Sequence, residues 1–287
     1  MLKPHQYCAS LYVPTTHKDL NEIMRGEKLQ EVGSLIFCTE DAVSEQHLPQ
    51  AISRFLDALP YLNPHSSQQR FVRVRNPAVM QQLLANEHIQ NIDGFVLPKI
   101  TAKNIGDYQI LVEQGFYVMP TLETAEVFIE QEMLQLRDIL LQPLWRPYVL
   151  SLRLGGNDLL NLLSMRRSAE HTVYETVLGT HIDRLVGWFK PCGFELSAPV
   201  FEFLNQPEVL MREVQADLLH GLTGKTAIHP TQIASIEAFY AVKEQDVLVA
   251  KAVLASNQAV FQYQQCMQEV ATHYRWAQKT LTMAGLS

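Results

Sequence analysis

Eight short apolar runs recur along the chain, most of them followed by a longer stretch with helical amphipathicity, and this alternation constrains the fold more than any other feature. The runs are 7–13 (YCASLYV), 33–38 (GSLIFC), 70–75 (RFVRVR), 93–97 (DGFVL), 116–121 (FYVMPT), 148–154 (YVLSLRL), 194–200 (FELSAPV) and 225–229 (KTAIH). Helix-like stretches lie between them at 45–59, 77–86, 103–114, 124–141, 169–187 and 207–220. Strands alternating with helices build βαβ units around a parallel sheet. Eight such units in about 230 residues suit a (β/α)8 TIM barrel, with a doubly wound open sheet as the alternative. Past His229 the chain has almost no Gly or Pro, and 244–283 reads as two helices. The expected organisation is therefore an α/β barrel domain over 1–238 and a C-terminal helical extension over 239–287, packed on the barrel or on a neighbouring subunit.

Composition narrows the partners. Hydrophobic residues make up 47% of the 287 and charged residues 18%, enough for a sizeable core. The net charge of −7, with no Lys/Arg-rich stripe, argues against nucleic acid or an acidic membrane as the main partner, while leaving room for a small anion. Cys8, Cys38, Cys192 and Cys266 are widely spaced without a CxxC, so neither structural zinc nor a disulfide framework is expected, and a reducing cytoplasm is the natural compartment. The N-terminus has no apolar signal-peptide core, and no run approaches the length of a membrane span.

In a barrel of this kind, reactive groups come from the C-terminal ends of the strands and the loops after them. Those positions hold Glu40 with Asp41, Arg73 with Asn76, Lys99, Glu123, Asp158, Glu202 and His229. Glu123 (VMPTLETAEV) and Asp158 (LRLGGNDLL) follow consecutive strands directly. Two carboxylates at one mouth repel unless a cation lies between them, and oxygen-only donors favour Mg²⁺ or Mn²⁺. The plainer alternatives are that Asp158 caps the next helix and that Glu123 is a first-turn helix glutamate. Arg73, in FVRVRNP, offers a fork for a carboxylate or an enolate, whereas Arg70 and Arg75 better suit outward, solvated positions. Lys99 is an anion ligand, a Schiff-base lysine, or a loop lysine paired with Glu40 or Asp41.

Two further features compete for function. GLTGKT (221–226) ends like a phosphate-binding loop, but Leu219 stands where the pattern needs Gly, and the element order is reversed. Arg166 and Arg167 are either phosphate or carboxylate ligands or part of a solvated helix. Pro230 suits the first turn of a helix, which gives IHPTQI a structural role, with His229 still free to face the site.

Taken in order, SLYVP, IFCTEDAV, FVRVRN, FVLPKI, PTLET, LGGNDL and GKTAIHPTQI resemble the HpcH/HpaI aldolase and citrate-lyase β-subunit family over roughly residues 10–235. The resemblance implies a TIM-barrel, Mg²⁺-dependent carbon–carbon lyase that is often oligomeric. It implies Glu123 and Asp158 as metal ligands, and Arg73, Glu40 and Asp41 as catalytic residues. Tyr12, Lys99, Asn76, Asn157, Arg153 and His229 are the substrate-binding candidates on the same motifs. Two departures stand out. Thr15 follows Val13-Pro14 where citrate-lyase-like members carry Gly at a coenzyme A approach, and no Asp follows Asp246 to supply the acid those members place near the C-terminus. With MRRSAEHTVYET, this tail resembles a divergent branch of C–C bond lyase barrels.

The expected function is a lyase or aldolase acting on a hydroxy-acid, a hydroxyacyl thioester such as an acyl-CoA, or a phosphorylated compound. A metal-stabilised enolate would form, and Asp41 or a metal-bound water would act as base. The alternative is a repurposed barrel that binds an anionic metabolite or a partner protein, and a third reading is nucleotide binding at GLTGKT. Glu123 and Asp158 together favour the enzyme; the missing C-terminal acid favours repurposing or a different substrate.

Overall fold

Short β-branched and aromatic runs bounded by polar turns are suited to strands buried on both faces. In the computed structural model, which describes residues 8–63 and 66–286, eight of them pair in sequence order into a closed parallel barrel. The barrel runs β1 (Ala9–Pro14), α1 (Leu20–Met24), β2 (Ser34–Cys38), α2 (Leu48–Ala58), β3 (Gln69–Arg73), α3 (Pro77–Leu84), β4 (Gly94–Leu97) and α4 (Gln109–Glu113). It continues through β5 (Tyr117–Leu122), α5 (Glu130–Leu140), β6 (Leu152–Leu154), α6 (Gly156–Leu162), α7 (Val177–Phe189), β7 (Leu196–Ala198), α8 (Pro207–Leu219), β8 (Gly224–Ala227) and α9 (Ile233–Tyr240). Pairing of β1 with β8 closes the ring, which excludes the open-sheet alternative.

Strand alternation sorts the side chains into two layers. Outward residues meet the helices: Phe37 of β2 packs on Phe55 of α2, with ring centroids 5.6 Å apart. Inward residues fill the barrel, where the Ser10 hydroxyl donates to Ser34 across 3.2 Å. Several predicted runs overshoot their strands. Run 148–154 contributes only Leu152–Leu154 to the ladder, because the chain first makes an isolated bridge from Val149 to Val118. The helix read over 169–187 starts later, at Val177. A capping box between Thr172 and Glu175 closes one short turn first, and Thr176 then caps α7 through Leu178 N–H. Tyr7, in the first predicted run, lies outside the described residues.

The chain divides between Phe239 and Tyr240 into two compact units. In the second, α10 (Glu244–Ala255) and α11 (Val270–Met283) share a small core of Ala250, Val253 and Ala277. The expectation of two helices alone is corrected here, because an antiparallel hairpin, β9 (Val260–Tyr263) and β10 (Cys266–Glu269), connects them. Its turn residues Gln264 and Gln265 take φ of 51° and 62°, left-handed values usually signalled by Asn or Gly. Among the described residues, no helix is long and apolar enough to cross a membrane.

Candidate active site

Strand ends and the turns after them deliver the charged residues of the barrel to one mouth. Glu40 follows β2, Arg73 ends β3, Lys99 follows β4, Glu123 follows β5, and Asp158 sits in the first turn of α6. Arg73, Glu123 and Asp158, with Asp41, line a cavity of about 240 Å³ that also reaches Tyr12, Cys38, Thr121, Arg153 and Thr226 on the barrel interior, and Glu40 and Lys99 join them through ion pairs.

Arg73 is the hub. Its Nη2 pairs with Glu40, lies 3.0 Å from Asp41 Oδ2, and 3.4 Å from Glu123 Oε1. Burial works against its charge, but the facing Tyr12 phenol and the Glu123 and Glu40 carboxylates outweigh that and hold its pKa above the ordinary value. Lys99 Nζ lies 2.9 Å from Glu40 Oε1 and 3.8 Å from Asp158 Oδ1. The Lys99 backbone takes a left-handed φ of 52° and its N–H donates to Glu123 Oε1 at 2.9 Å. A non-glycine residue held in that region is costly, and here the turn aims an amide at a buried carboxylate.

Burial, reinforced by Asp158, pushes the Glu123 carboxyl up to about 7 in spite of Arg73. Burial raises Glu40 as well, against the pull of Arg73 and Lys99. Glu40 Oε2 meets Arg73 as an ion pair without making a hydrogen bond of its own. Four carboxylates thus crowd two cations at the mouth, and the most buried of them, Glu123, is the one pushed up to about 7.

The glycine pair of LRLGGNDLL exists for close approach. A Cβ on Gly155 would lie 2.3 Å from both Cβ and Oε2 of Glu123, and one on Gly156 would lie 2.7 Å from Pro199 Cβ. Gly155 is itself the N-cap position of α6, with no side-chain cap. The helix-cap reading of Asp158 is therefore corrected: Asp158 is the third residue of the helix, and it faces the cavity. Glu123 likewise is no first-turn helix residue, since it follows β5 directly and Thr124 precedes the next turn.

The substrate-binding candidates separate. Tyr12, Arg153 and Asn157 line the cavity, and Asn157 Nδ2 donates to Glu202 Oε2 at 2.8 Å. Lys99 stands at the rim through its ion pairs. Asn76 and His229 are exposed and are not among the lining residues. Asn76 Oδ1 caps α3 by accepting from Val79 N–H, and His229 Nδ1 accepts from Thr231 N–H. Cys38, Thr121 and Thr226 were not singled out from the sequence; their one legible signal is the two-residue alternation that places them on the inward face.

Three expectations are overturned by burial. Lys225 of GLTGKT has no exposed side chain and lies 2.8 Å from Glu213 Oε1 and 3.0 Å from Asp217 Oδ2, so it holds no nucleotide phosphate. Arg167 pairs with the same buried Glu213 and stacks on Phe201, so it is neither solvated nor free for phosphate. Arg70 and Arg75 are not solvated either. Arg70 donates to the Asn63 carbonyl at 2.7 Å, and Arg75 donates to the carbonyls of Glu40 and Val43, tying down the loop after β2.

A family model described as the C–C bond lyases of the TIM-barrel fold matches residues 1–286. No curated protein matches the chain. Among solved structures the chain is similar to CitE from Mycobacterium tuberculosis in complex with magnesium, acetoacetate and coenzyme A, at 20% identity over 98% of this chain and 99% of that one, with a TM-score of 0.69. It is similar to a citrate lyase from Burkholderia xenovorans at 16% identity over 99% and 95%, with a TM-score of 0.76. It is also similar to the citrate lyase β subunit from Mycobacterium tuberculosis complexed with oxaloacetate and magnesium, at 18% identity over 82% and 98%, with a TM-score of 0.62. These likenesses establish a shared barrel fold.

Proposed function

The chain belongs to the C–C bond lyases of the TIM-barrel fold, and from that premise we propose that it is a magnesium-dependent lyase or aldolase that cleaves, or in reverse forms, a carbon–carbon bond in a small hydroxy-acid. The observation that carries this reading is Arg73 shared by Glu40, Asp41 and Glu123 beside Asp158 at one cavity mouth.

The donor set fits magnesium. Among the described residues no three His, Cys, Asp or Glu side chains form a ligand cage. Magnesium does not require one, since it keeps several waters and takes one or two carboxylates plus substrate oxygens. Glu123 and Asp158 would supply those carboxylates, and Gly155 leaves the space that Glu123 Oε2 occupies. A cation there would also offset the burial, and the nearby Asp158 charge, that together raise Glu123. Support comes further from the Mycobacterium tuberculosis neighbours, which are complexed with magnesium and small oxo-acids. Bound at this mouth, magnesium would supply Lewis-acid stabilisation to a substrate oxygen.

The protein groups divide the remaining work. Asp41, the most exposed of the four acids with its side chain 56% accessible, takes the proton from the substrate hydroxyl. As that O–H pair becomes a carbonyl, the carbon–carbon bond breaks and its electrons move onto the oxygen of the neighbouring carbonyl. Arg73 is the fixed cation facing that developing charge. Glu40 holds Arg73 and Lys99 together, and Lys99 steadies Asp158 from the rim. The cavity of about 240 Å³ lies below the usual volume of a drug-sized pocket, which suits a small acid more than the body of a coenzyme A thioester.

The test is a thermal-shift titration of MgCl₂, alone and with malate or oxaloacetate, on the wild type and Asp158→Ala. The expected outcome is saturable stabilisation by Mg²⁺ in the wild type, deepened by the acid, and reduced at least about tenfold in affinity in the variant. Stabilisation by the acids with no Mg²⁺ dependence would instead favour a repurposed anion-binding barrel.

A further inference from the structure

Arg153 is a buried cation that makes no ion pair among the described residues. It is 3% exposed and lines the cavity. Among the described residues its side-chain hydrogen bonds go to neutral groups, and Glu123 acts on it only from beyond ion-pair distance. Nη2 donates to Thr226 Oγ1 at 2.7 Å, Nη1 points at the Met119 thioether 3.7 Å away, and the guanidinium carbon lies over the Tyr12 ring. The other arginine of the cavity has three acids around it. Buried charges in proteins are normally paired, because an isolated one carries an uncompensated desolvation cost.

Position gives this cation its meaning. Arg153 pairs in register with Thr121 on one side and Ser197 on the other, and Thr121 lies two residues before Glu123 on the same inward face. Arg153 therefore sits one layer deeper than the carboxylates of the mouth. Both guanidinium carbons lie over the same ring, Arg73 at 5.6 Å and Arg153 at 5.7 Å from the Tyr12 centroid. The cavity thus has two cationic ends separated by about one aromatic ring, the outer one already neutralised by protein acids and the inner one not.

We propose that the site takes a short oxo- or hydroxy-dicarboxylate whose second carboxylate docks at the cavity floor on Arg153, Thr226 and Tyr12. The first carboxylate and the reacting oxygen then face Arg73 and the mouth, so the substrate spans the two arginines. As the substrate of a lyase this rests on the function proposed above, but the floor site stands on its own geometry. Arg153 acts as a specificity-determining residue: a substrate with an amide, ester or methyl at the far end would leave the buried guanidinium uncompensated, and a planar carboxylate matches its fork.

Isothermal titration with malate and with malamate, in which the carboxylate remote from the hydroxyl is an amide, reads this directly. The pair keeps the hydroxy-acid end constant and removes one charge at nearly constant shape. With MgCl₂ present, wild type is expected to bind malate at least about tenfold more tightly than malamate. Arg153→Met is expected to bind both within about twofold while keeping the Mg²⁺ thermal shift. Should Arg153→Met fail to fold, Thr226→Val, which releases Nη2, is expected to shrink the wild-type ratio measurably. A ratio near one in the wild type, or a ratio unchanged in the foldable variant, overturns the proposal. Loss of the lyase reading looks different: Mg²⁺ would have no effect, while the malate preference and its dependence on Arg153 would remain.

Discussion

Glu123 concentrates opposing forces on a single side chain. It accepts from Lys99 N–H and faces Arg73, yet its side chain is only 2% exposed and Asp158 lies nearby. The balance leaves its carboxyl at about 7 instead of the ordinary 4.5. Between those values the folded chain holds a proton that the unfolded chain has released. Stability therefore falls as pH rises from about 4.5 to 7 and levels off above, because the buried charge must then be carried. Glu123→Gln keeps the acceptor for Lys99 and removes the charge. Urea unfolding without metal is expected to show the variant gaining on the wild type by roughly 1–3 kcal/mol between pH 5 and pH 8. A wild-type slope shared unchanged by the variant would show that burial of Glu123 is not its source. That Glu123 and Asp158 come to one cavity was legible from two acids placed just after consecutive strands. That Arg153 makes no ion pair among the described residues was not, since a residue's partners depend on what other segments bring within a few ångströms.

Among the elements, the hairpin of β9 and β10 was the least legible. Its turn reads Tyr-Gln-Gln-Cys, with neither Gly nor Asn, and its strands are exposed or half-buried except at Gln268, a buried polar residue, so little apolar alternation marks them. Gln264 and Gln265 nevertheless adopt the two successive left-handed conformations that a tight antiparallel turn demands. Replacing them with Asn-Gly supplies residues suited to those angles. The double substitution is expected to stabilise the C-terminal unit by about 0.5–1 kcal/mol, read by hydrogen exchange at the α10 and α11 amides. Slower exchange there supports the turn geometry, and faster exchange contradicts it. The barrel strands were legible for the opposite reason. Each is short, apolar and set between polar turns, and errors were confined to their ends, where Val149 bridges but Leu150 and Ser151 leave the strand.

At the scale of the barrel, a buried ionic cluster ties β8, α8 and the segment before α7 together. Lys225 joins Glu213 and Asp217, Arg167 joins Glu213, and Tyr174 donates to Asp217 at 2.7 Å. Glu213 is held below its usual range, since Lys225 and Arg167 outweigh the effect of burial, whereas burial pushes Asp217 up to about 6. Removing one member leaves the rest uncompensated in a place water does not reach. Lys225→Met is expected to cost about 3–5 kcal/mol of barrel stability in denaturant titrations, with no change in response to added ATP. A near-neutral effect would mean that the cluster is not closed as described. What looked locally like the end of a phosphate loop is an outward strand lysine under a helix.

The sequence by itself determined the eight-fold alternation and the strand ends at which the acids after β2, after β5 and in α6 gather, while the pairing of β1 with β8 in the structure decided that the sheet closes. The alternation and the strand ends follow from periodicity and chain order, which are properties of neighbouring residues. The tertiary structure alone decided which charges meet. Arg73, Arg153, Arg167 and Lys225 look alike along the chain, yet closure gives Arg73 three acids, leaves Arg153 without an ion pair among the described residues, and buries the last two around Glu213. Coulomb energy and desolvation depend on distances and burial set by segments far apart in sequence.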